Sequence, residues 1–110
     1  MILAFENYEL RAICEINEIA VETYGDKIAF NLQKRLSDLE SANNIYEIPI
    51  GDIRPVEKES ANYQIDINET YRIIFRQNHP RAPIKDGIID WEKVNRIQLL
   101  KIVNKHEYYS

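Results

Sequence analysis

The sequence predicts an α+β domain in which two N-terminal amphipathic helices pack on one face of a small antiparallel β-sheet. Three observations predict it. Residues 8–43 carry apolar side chains at helical spacing. Residues 62–76 alternate apolar and polar side chains on either side of a short polar break. Residues 97–103 form an apolar run of strand length. The order β-α-α-β-β-β keeps helices apart from most strands, the α+β pattern rather than a repeating βαβ one. A chain of 110 residues supports one core of useful size, so a single domain over 1–110 is expected.

Residues 2–5 are a short apolar run that reads as an edge or first strand. Between residues 8 and 23, Leu10, Ile13, Cys14, Ala20 and Val21, continued by Tyr24, share one helical side, with Glu9, Glu15, Glu18 and Glu22 elsewhere. Asn7 suits the start of that helix and Gly25 its end. Asp26 reads as the N-cap of a second helix running to about Asn43. Its stripe is Ile28, Leu32, Leu36 and Leu39, and Lys27, Lys34, Arg35 and Asp38 are expected to face water. Two such helices with a two-residue break predict an antiparallel helical hairpin.

Pro49, Gly51 and Pro55 break any regular run between Ile45 and Arg54. Tyr63, Ile65 and Ile67 then alternate with Gln64 and Asp66, Asn68-Glu69 offers a turn, and Tyr71, Ile73 and Phe75 return on one face. Arg72, Ile74 and Arg76 take the other face, which puts a guanidinium in mid-strand among β-branched and aromatic neighbours. Gln77 to Asp86, with Pro80 and Pro83, reads as a loop, and Asp90 as the cap of one helical turn at Trp91. Ile97 to Val103 is apolar on both faces, which predicts a central strand.

The formal charge of −4 conceals an asymmetry. Residues 1–52 hold four Lys/Arg against ten Asp/Glu, and residues 53–110 hold ten against eight. The global charge argues against wrapping nucleic acid but allows a small phosphate site on the second half. Cys14 is the single cysteine, so no internal disulfide can form and a reducing compartment fits. The run Met1–Phe5 lacks the basic start of a signal peptide, and no stretch approaches a membrane span. A cytoplasmic protein without membrane contact is expected.

No cofactor or metal is expected. Two histidines 27 positions apart and one cysteine give no ligand spacing, and three scattered glycines make no phosphate loop. A Cys14–His106 nucleophilic pair is outweighed by the position of Cys14 on an apolar helix face.

The remaining constellation is basic and aromatic: Arg54, Lys58, Arg72, Arg76, Lys101, Lys105, His106, Tyr108 and Tyr109. Such groups suit metal-free RNA cleavage, in which a ribose 2′-OH attacks the adjacent phosphate. The reaction needs a proton acceptor, a proton donor and cations facing the phosphorane. His106 suits proton transfer near neutrality and Arg72 suits bidentate phosphate binding. Each has a plain alternative: Arg72 paired with Asp66, His106 as a solvated terminal residue, Arg76, Lys101 and Lys105 as surface charge, and Tyr108 and Tyr109 as apolar cover.

Several segments match one family in order. Residues 34–42, Lys-Arg-Leu-Ser-Asp-Leu-Glu-Ser-Ala, resemble a second helix that closes in an Ala-rich run. Ile53-Arg54-Pro55-Val56 resembles an L-H-P-L lead-in to the sheet, and Thr70 to Phe75 an x-[WY]-R-[IL]-x-F strand. Asp86-Gly87-Ile88-Ile89-Asp90-Trp91-Glu92-Lys93-Val94 resembles a D-G-x-I-D-W-x-K-V insertion before the last strand.

The chain thus resembles the RelE/ParE superfamily of bacterial toxins, and within it the HigB-like, plasmid-maintenance killer group. The resemblance implies a RelE-like fold and the toxin of a type II toxin–antitoxin pair, a ribosome-dependent mRNA endoribonuclease. Its implied partners are the ribosome and mRNA, and a small helix-turn-helix antitoxin through which alone it meets operator DNA. Residue by residue, Arg72 matches the family's phosphate-facing Arg and His106 its C-terminal His, while Lys58 lies near an expected basic position and Arg54 stands where the family has His. With the basic and aromatic constellation, this makes Arg72, His106 and Lys58 the expected catalytic residues and Arg54, Arg76, Lys105 and Tyr108 the expected RNA contacts. Where the family has a basic L-[KH]-G-D-R-K-G run, this chain has Val56-Glu57-Lys58-Glu59-Ser60-Ala61-Asn62, and it is acidic where many members are basic. Those departures leave room for a second expectation, a non-catalytic or differently targeted member that mainly binds its antitoxin.

Overall fold

A computed structural model describes residues 1–58 and 61–106 as three helices against a mixed five-stranded sheet. In chain order these are β1 (Ile2–Phe5), α1 (Tyr8–Glu15), α2 (Asn17–Tyr24), α3 (Asp26–Ser41), β2 (Arg54–Pro55), β3 (Tyr63–Asp66) and β4 (Tyr71–Gln77). A two-stranded ribbon of β5 (Ile84–Lys85) and β6 (Ile88–Ile89) follows, then β7 (Arg96–Asn104). Single 3-10 turns at Ile45–Glu47 and Trp91–Lys93 lie in the connections. No helix among the described residues is long and apolar enough to cross a membrane.

The sheet order is β1-β7-β4-β3-β2. All pairs are antiparallel except β1 with β7, so the expectation of a purely antiparallel sheet holds for four strands and fails at one edge. The apolar pattern of residues 2–5 encodes burial and not the direction of a partner 94 residues away. The last strand is internal, as expected, but β4 is the middle one. At the level of Ile74 and Phe75 the β7 partner shifts from Lys101 to Leu99, which leaves Leu100 as the extra residue of a bulge.

The helical segment divides differently from the sequence reading. Ile16 adopts an extended backbone (φ −116°, ψ 104°) and splits residues 8–24 into α1 and α2. No Gly or Pro marks this break. Asn7 caps α1 as expected, its Oδ1 accepting the Leu10 N–H at 2.9 Å. Gly25, at φ +89°, ends α2 and itself takes the cap position of α3. Asp26 therefore falls in the first turn, where its charge complements the helix dipole. Beyond the far end of α3 the Met1 ammonium donates to the carbonyls of Leu39, Glu40 and Ala42 at 3.1, 2.8 and 2.6 Å. These bonds meet carbonyls that a helix end leaves open.

Leu10, Cys14, Ala29, Leu32, Leu36 and Leu39 from the helices meet Ile65, Ile73, Phe75, Ile97 and Leu99 from one face of the sheet. The period-2 reading of the hairpin therefore holds. Its turn is closed by Asn68, whose Oδ1 accepts the N–H groups of Thr70 and Tyr71, both at 2.8 Å. Trp91 closes one end of this core against Tyr63 (ring centroids 4.4 Å apart), and Asp90 caps its turn as expected. The segment read as a loop ends in the β5–β6 ribbon, turned by Asp86 (φ +55°) and Gly87 (φ +82°). An Asp-Gly pair with both angles positive is a hairpin signal, obscured here because only two residues on each side pair.

Gly51 is the tightest point of the connection into β2. Its φ is +92°, and a Cβ there would lie 2.6 Å from the Cγ1 of fully buried Ile65. Gly25 has the same positive φ but open space around it. Replacing Gly25 by Ala is expected to cost about 1–3 kcal/mol of backbone strain alone. Gly51→Ala adds overpacking of a further ~1–3 kcal/mol, and urea denaturation midpoints of the two variants should separate by that increment.

Candidate functional site

The helices leave the second face of the sheet uncovered, and strand alternation decides what stands on it. Register aligns Arg54 of β2, Gln64 of β3, Ile74 of β4 and Lys101 of β7 in one row across the sheet. The next row holds Asp66, Arg72 and Val103. Lys105 follows just past β7, its N–H donating to the Thr70 carbonyl at 2.7 Å. Ile74 and Gln64 are buried within this polar surface. Long Arg and Lys stems suit such a surface because they cover apolar area while their charged ends stay near water.

Asp66 is the hub of the cluster. Its Oδ2 accepts from Lys105 Nζ at 3.0 Å, and its Oδ1 lies 3.7 Å from Arg54 Nη1. The same Nη1 donates to the Asp52 carboxylate at 2.8 Å and to the Asp52 carbonyl at 2.7 Å. Arg72 is the direct cross-strand neighbour of Asp66. Arg54 and Lys105 thus reach Asp66, with Arg72 across the strand from it and Lys101 four residues before Lys105 in β7, a set of four cations on one face of an acidic chain.

The Asp66 backbone is fixed as firmly as its side chain. Its N–H donates to the Gly51 carbonyl and its carbonyl accepts from Arg35 Nε, both at 2.7 Å. Arg35 also donates through Nη1 to Asp38 at 2.8 Å, and its side chain is only 13% exposed. The expectation that Arg35 faces water is therefore corrected. It crosses from α3 to the end of β3 because that strand's last carbonyl is otherwise without a sheet partner.

The residues singled out from sequence divide into groups. Arg54, Arg72 and Lys105 come together around Asp66. His106 follows Lys105 at the same end of the sheet; its N–H donates to Asn104 Oδ1 at 2.8 Å and the residue is exposed. Arg76 shares the face of Arg72 but sits four residues along β4, about 13 Å away at strand rise, bonded through Nη2 to Gln98 Oε1 at 2.9 Å. Lys58 is exposed in the β2–β3 connection, beyond the Pro55–Tyr63 pair and so toward the Arg76 end. Tyr108 lies outside the described residues.

Lys101, which the sequence placed in the basic constellation without a role, and Asp66, which it offered only as a rival partner of Arg72, stand on the same face. The Lys101-Val103-Lys105 alternation in β7 is the signal that links the two lysines. Cys14 belongs to the helical core, where burial, with Glu15 contributing, pushes its thiol up to about 12. A thiol so placed is inert as a nucleophile at neutral pH.

No protein-family model matches the chain, and a search of curated proteins finds no match.

The positioning role of Arg35 has a measurable consequence. Arg35→Met removes a charged bond to a carbonyl at a part-buried site and should cost about 1.5–3 kcal/mol. Lys27→Met, at an exposed position on the same helix, should stay within about 0.5 kcal/mol. Equilibrium urea unfolding of both variants checks the difference.

Proposed function

We propose that this chain is the toxin of a type II toxin–antitoxin pair and cleaves mRNA on the ribosome without a metal. The observation that carries the reading is the convergence of Arg54, Arg72 and Lys105 on the sheet face that the helices leave open. In-order likeness of the Arg-Pro lead-in, the Tyr-Arg strand and the Asp-Trp segment to the RelE-like, HigB-like toxins supports it.

The chemistry follows from the residue types. A ribose 2′-oxygen forms a bond to the adjacent phosphorus while the bond from phosphorus to the 5′-oxygen breaks. The products are a 2′,3′-cyclic phosphate and a 5′-hydroxyl. Arg72, with Arg54 and Lys105 beside it, offsets the charge that builds on the phosphorane oxygens. His106 is the group suited to move a proton, between the 2′-oxygen and the leaving 5′-oxygen. Lys58 and Arg76 stand toward the other end of the sheet, so their role is contact with flanking nucleotides rather than chemistry. The cognate antitoxin silences the toxin by covering this face, and the pair meets operator DNA through the antitoxin.

A second reading is favoured by a different surface. Pro55, Tyr63, Ile84, Ile88 and Trp91 line an apolar groove of about 500 Å³ between the sheet edge and the β5–β6 ribbon. Ile84 and Ile88 are 59% and 71% exposed. Apolar area of this kind marks protein contact, which fits a non-catalytic member that mainly binds its antitoxin.

Induced expression should arrest growth and truncate transcripts. Arg72→Ala should restore both, with cleavage slowed by about 10²–10³, the usual effect of removing one charge-stabilising donor. Lys58→Ala should change cleavage by less than about threefold, as expected of a surface phosphate contact. Growth arrest that persists in Arg72→Ala with transcripts intact would sink the ribonuclease reading. Robust growth on expression, with tight binding to the product of the adjacent gene, would favour the second.

A further inference from the structure

We infer that Asp66 is an internal counter-ion seated where a phosphate oxygen would sit, and that it sets how weakly this face holds phosphate. The inference rests on the cationic face being the phosphate site of the function proposed above. Asp66 takes Lys105 Nζ at 3.0 Å on one oxygen. Its other oxygen, Oδ1, is buried and accepts no hydrogen bond among the described residues, with Arg54 Nη1 at 3.7 Å. A buried anionic oxygen left without a donor inside a cationic cluster is a poor final state for a carboxylate.

A phosphate offers more oxygens than a carboxylate and can meet Arg54 and Lys105, the two cations that Asp66 holds at ion-pair range, with oxygens left for further donors. The carboxylate can turn but stays within a side chain's reach of the cations, because Gly51 and Arg35 hold the Asp66 backbone at 2.7 Å on both sides. A bound phosphate therefore shares the cations with a fixed negative charge a few ångströms away. One such repulsion from a side chain only 23% exposed changes affinity by about tenfold.

The consequence is a face that is occupied in the absence of RNA and holds single phosphates weakly. Asp66 would keep the cluster folded and its arginines ordered without ligand, at the expense of affinity. It acts on substrate through Arg54 and Lys105, so it is a positioning residue.

The test uses the full chain as wild type, Asp66→Asn and Asp66→Glu, with two probes: inorganic phosphate and a 2′-O-methyl oligouridylate that cannot be cut. Asp66→Asn should bind both about tenfold more tightly. Its log–log salt slope for the oligonucleotide should steepen by about one unit, since the face gains one positive charge. Asp66→Glu, which keeps the charge, should stay near wild type. Asp66→Asn should also melt lower than wild type in phosphate-free buffer and recover more than wild type when phosphate is added. A merely structural ion pair predicts the loss without the extra recovery. If Asp66→Asn unfolds, the carboxyl ¹³C resonance of Asp66 in the wild-type chain decides: it should move as phosphate is titrated and Lys105 changes partner.

Unchanged affinity in folded Asp66→Asn, or a static Asp66 resonance through saturation, overturns the inference. Tighter binding by Asp66→Asn in a chain that cuts no RNA upholds it and removes the ribonuclease reading. Cleavage that depends on Arg72, with no gain in Asp66→Asn, does the reverse. Gain for inorganic phosphate but not for the oligonucleotide overturns the assignment to RNA.

Discussion

Asp66 is a structural hub, and it acts with both backbone and side chain. Its N–H meets the Gly51 carbonyl, its carbonyl meets Arg35 from α3, and its carboxylate meets Lys105 from the end of β7 with Arg54 of β2 at longer range. One residue thus ties a helix, the connection into the sheet and two strands. The strand it ends is only four residues long, and its outer neighbour β2 only two. Strands so short have little pairing of their own, and bonds to charged donors at part-buried sites, worth about 1.5–3 kcal/mol each, supply what the ladder lacks. The narrow passage at Gly51 belongs to the same constraint, because the carbonyl that receives the Asp66 N–H must pass beside Ile65.

The same alternation that builds the core builds the candidate site. In β4, Tyr71, Ile73 and Phe75 point to the helices, and Arg72, Ile74 and Arg76 to the open face. The two faces cannot be varied independently, since a one-residue slip of register would send the arginines into the core. Asn68 guards against that slip at the turn end of β4, and the Leu100 bulge does so at the middle of its pairing with β7. Buried Ile74 then serves as the floor of a cationic surface, lowering the dielectric around the charges beside it.

What was legible in the sequence was local. The hairpin alternation, the Asn7 cap, Gly25 as a helix end and the Asp90 turn each rest on residues within a few positions of one another, and the structure has them. The break at Ile16 has no Gly, Pro or capping side chain to announce it. The parallel partner of β1 and the inward course of Arg35 depend on residues 94 and 31 positions away, and periodicity holds no record of them. The site divides in the same way. Residue type picked out Arg72, Arg54 and Lys105, but only register shows that β2, β3, β4 and β7 bring them to one place. Lys58 lies toward the Arg76 end because its loop follows the Pro55–Tyr63 pair, and a position in a loop does not by itself say which end of the sheet the loop serves.

Charge limits what this face does alone. Arg54, Arg72, Lys101 and Lys105 can meet at most four phosphates, and Asp52 and Asp66 compete for them, so counterion release at this cluster supports a single-strand salt slope no steeper than about −3. Such a slope is far too shallow to gather a long RNA at physiological salt. The acidic helical side, with nine carboxylates against four cations in residues 1–51, repels a polyanion approaching from that direction. Under the proposed function, RNA must be delivered by something other than the charge of this chain, and a strand held in the decoding groove of a ribosome meets that requirement. An acidic body with a small cationic face then favours presented RNA over free RNA, and a carboxylate within the face sharpens the preference. Adding basic residues around the cluster would raise affinity for every RNA and erase that distinction. The acidic composition is thus compatible with the proposed activity, and it confines that activity to substrates brought to the face in place.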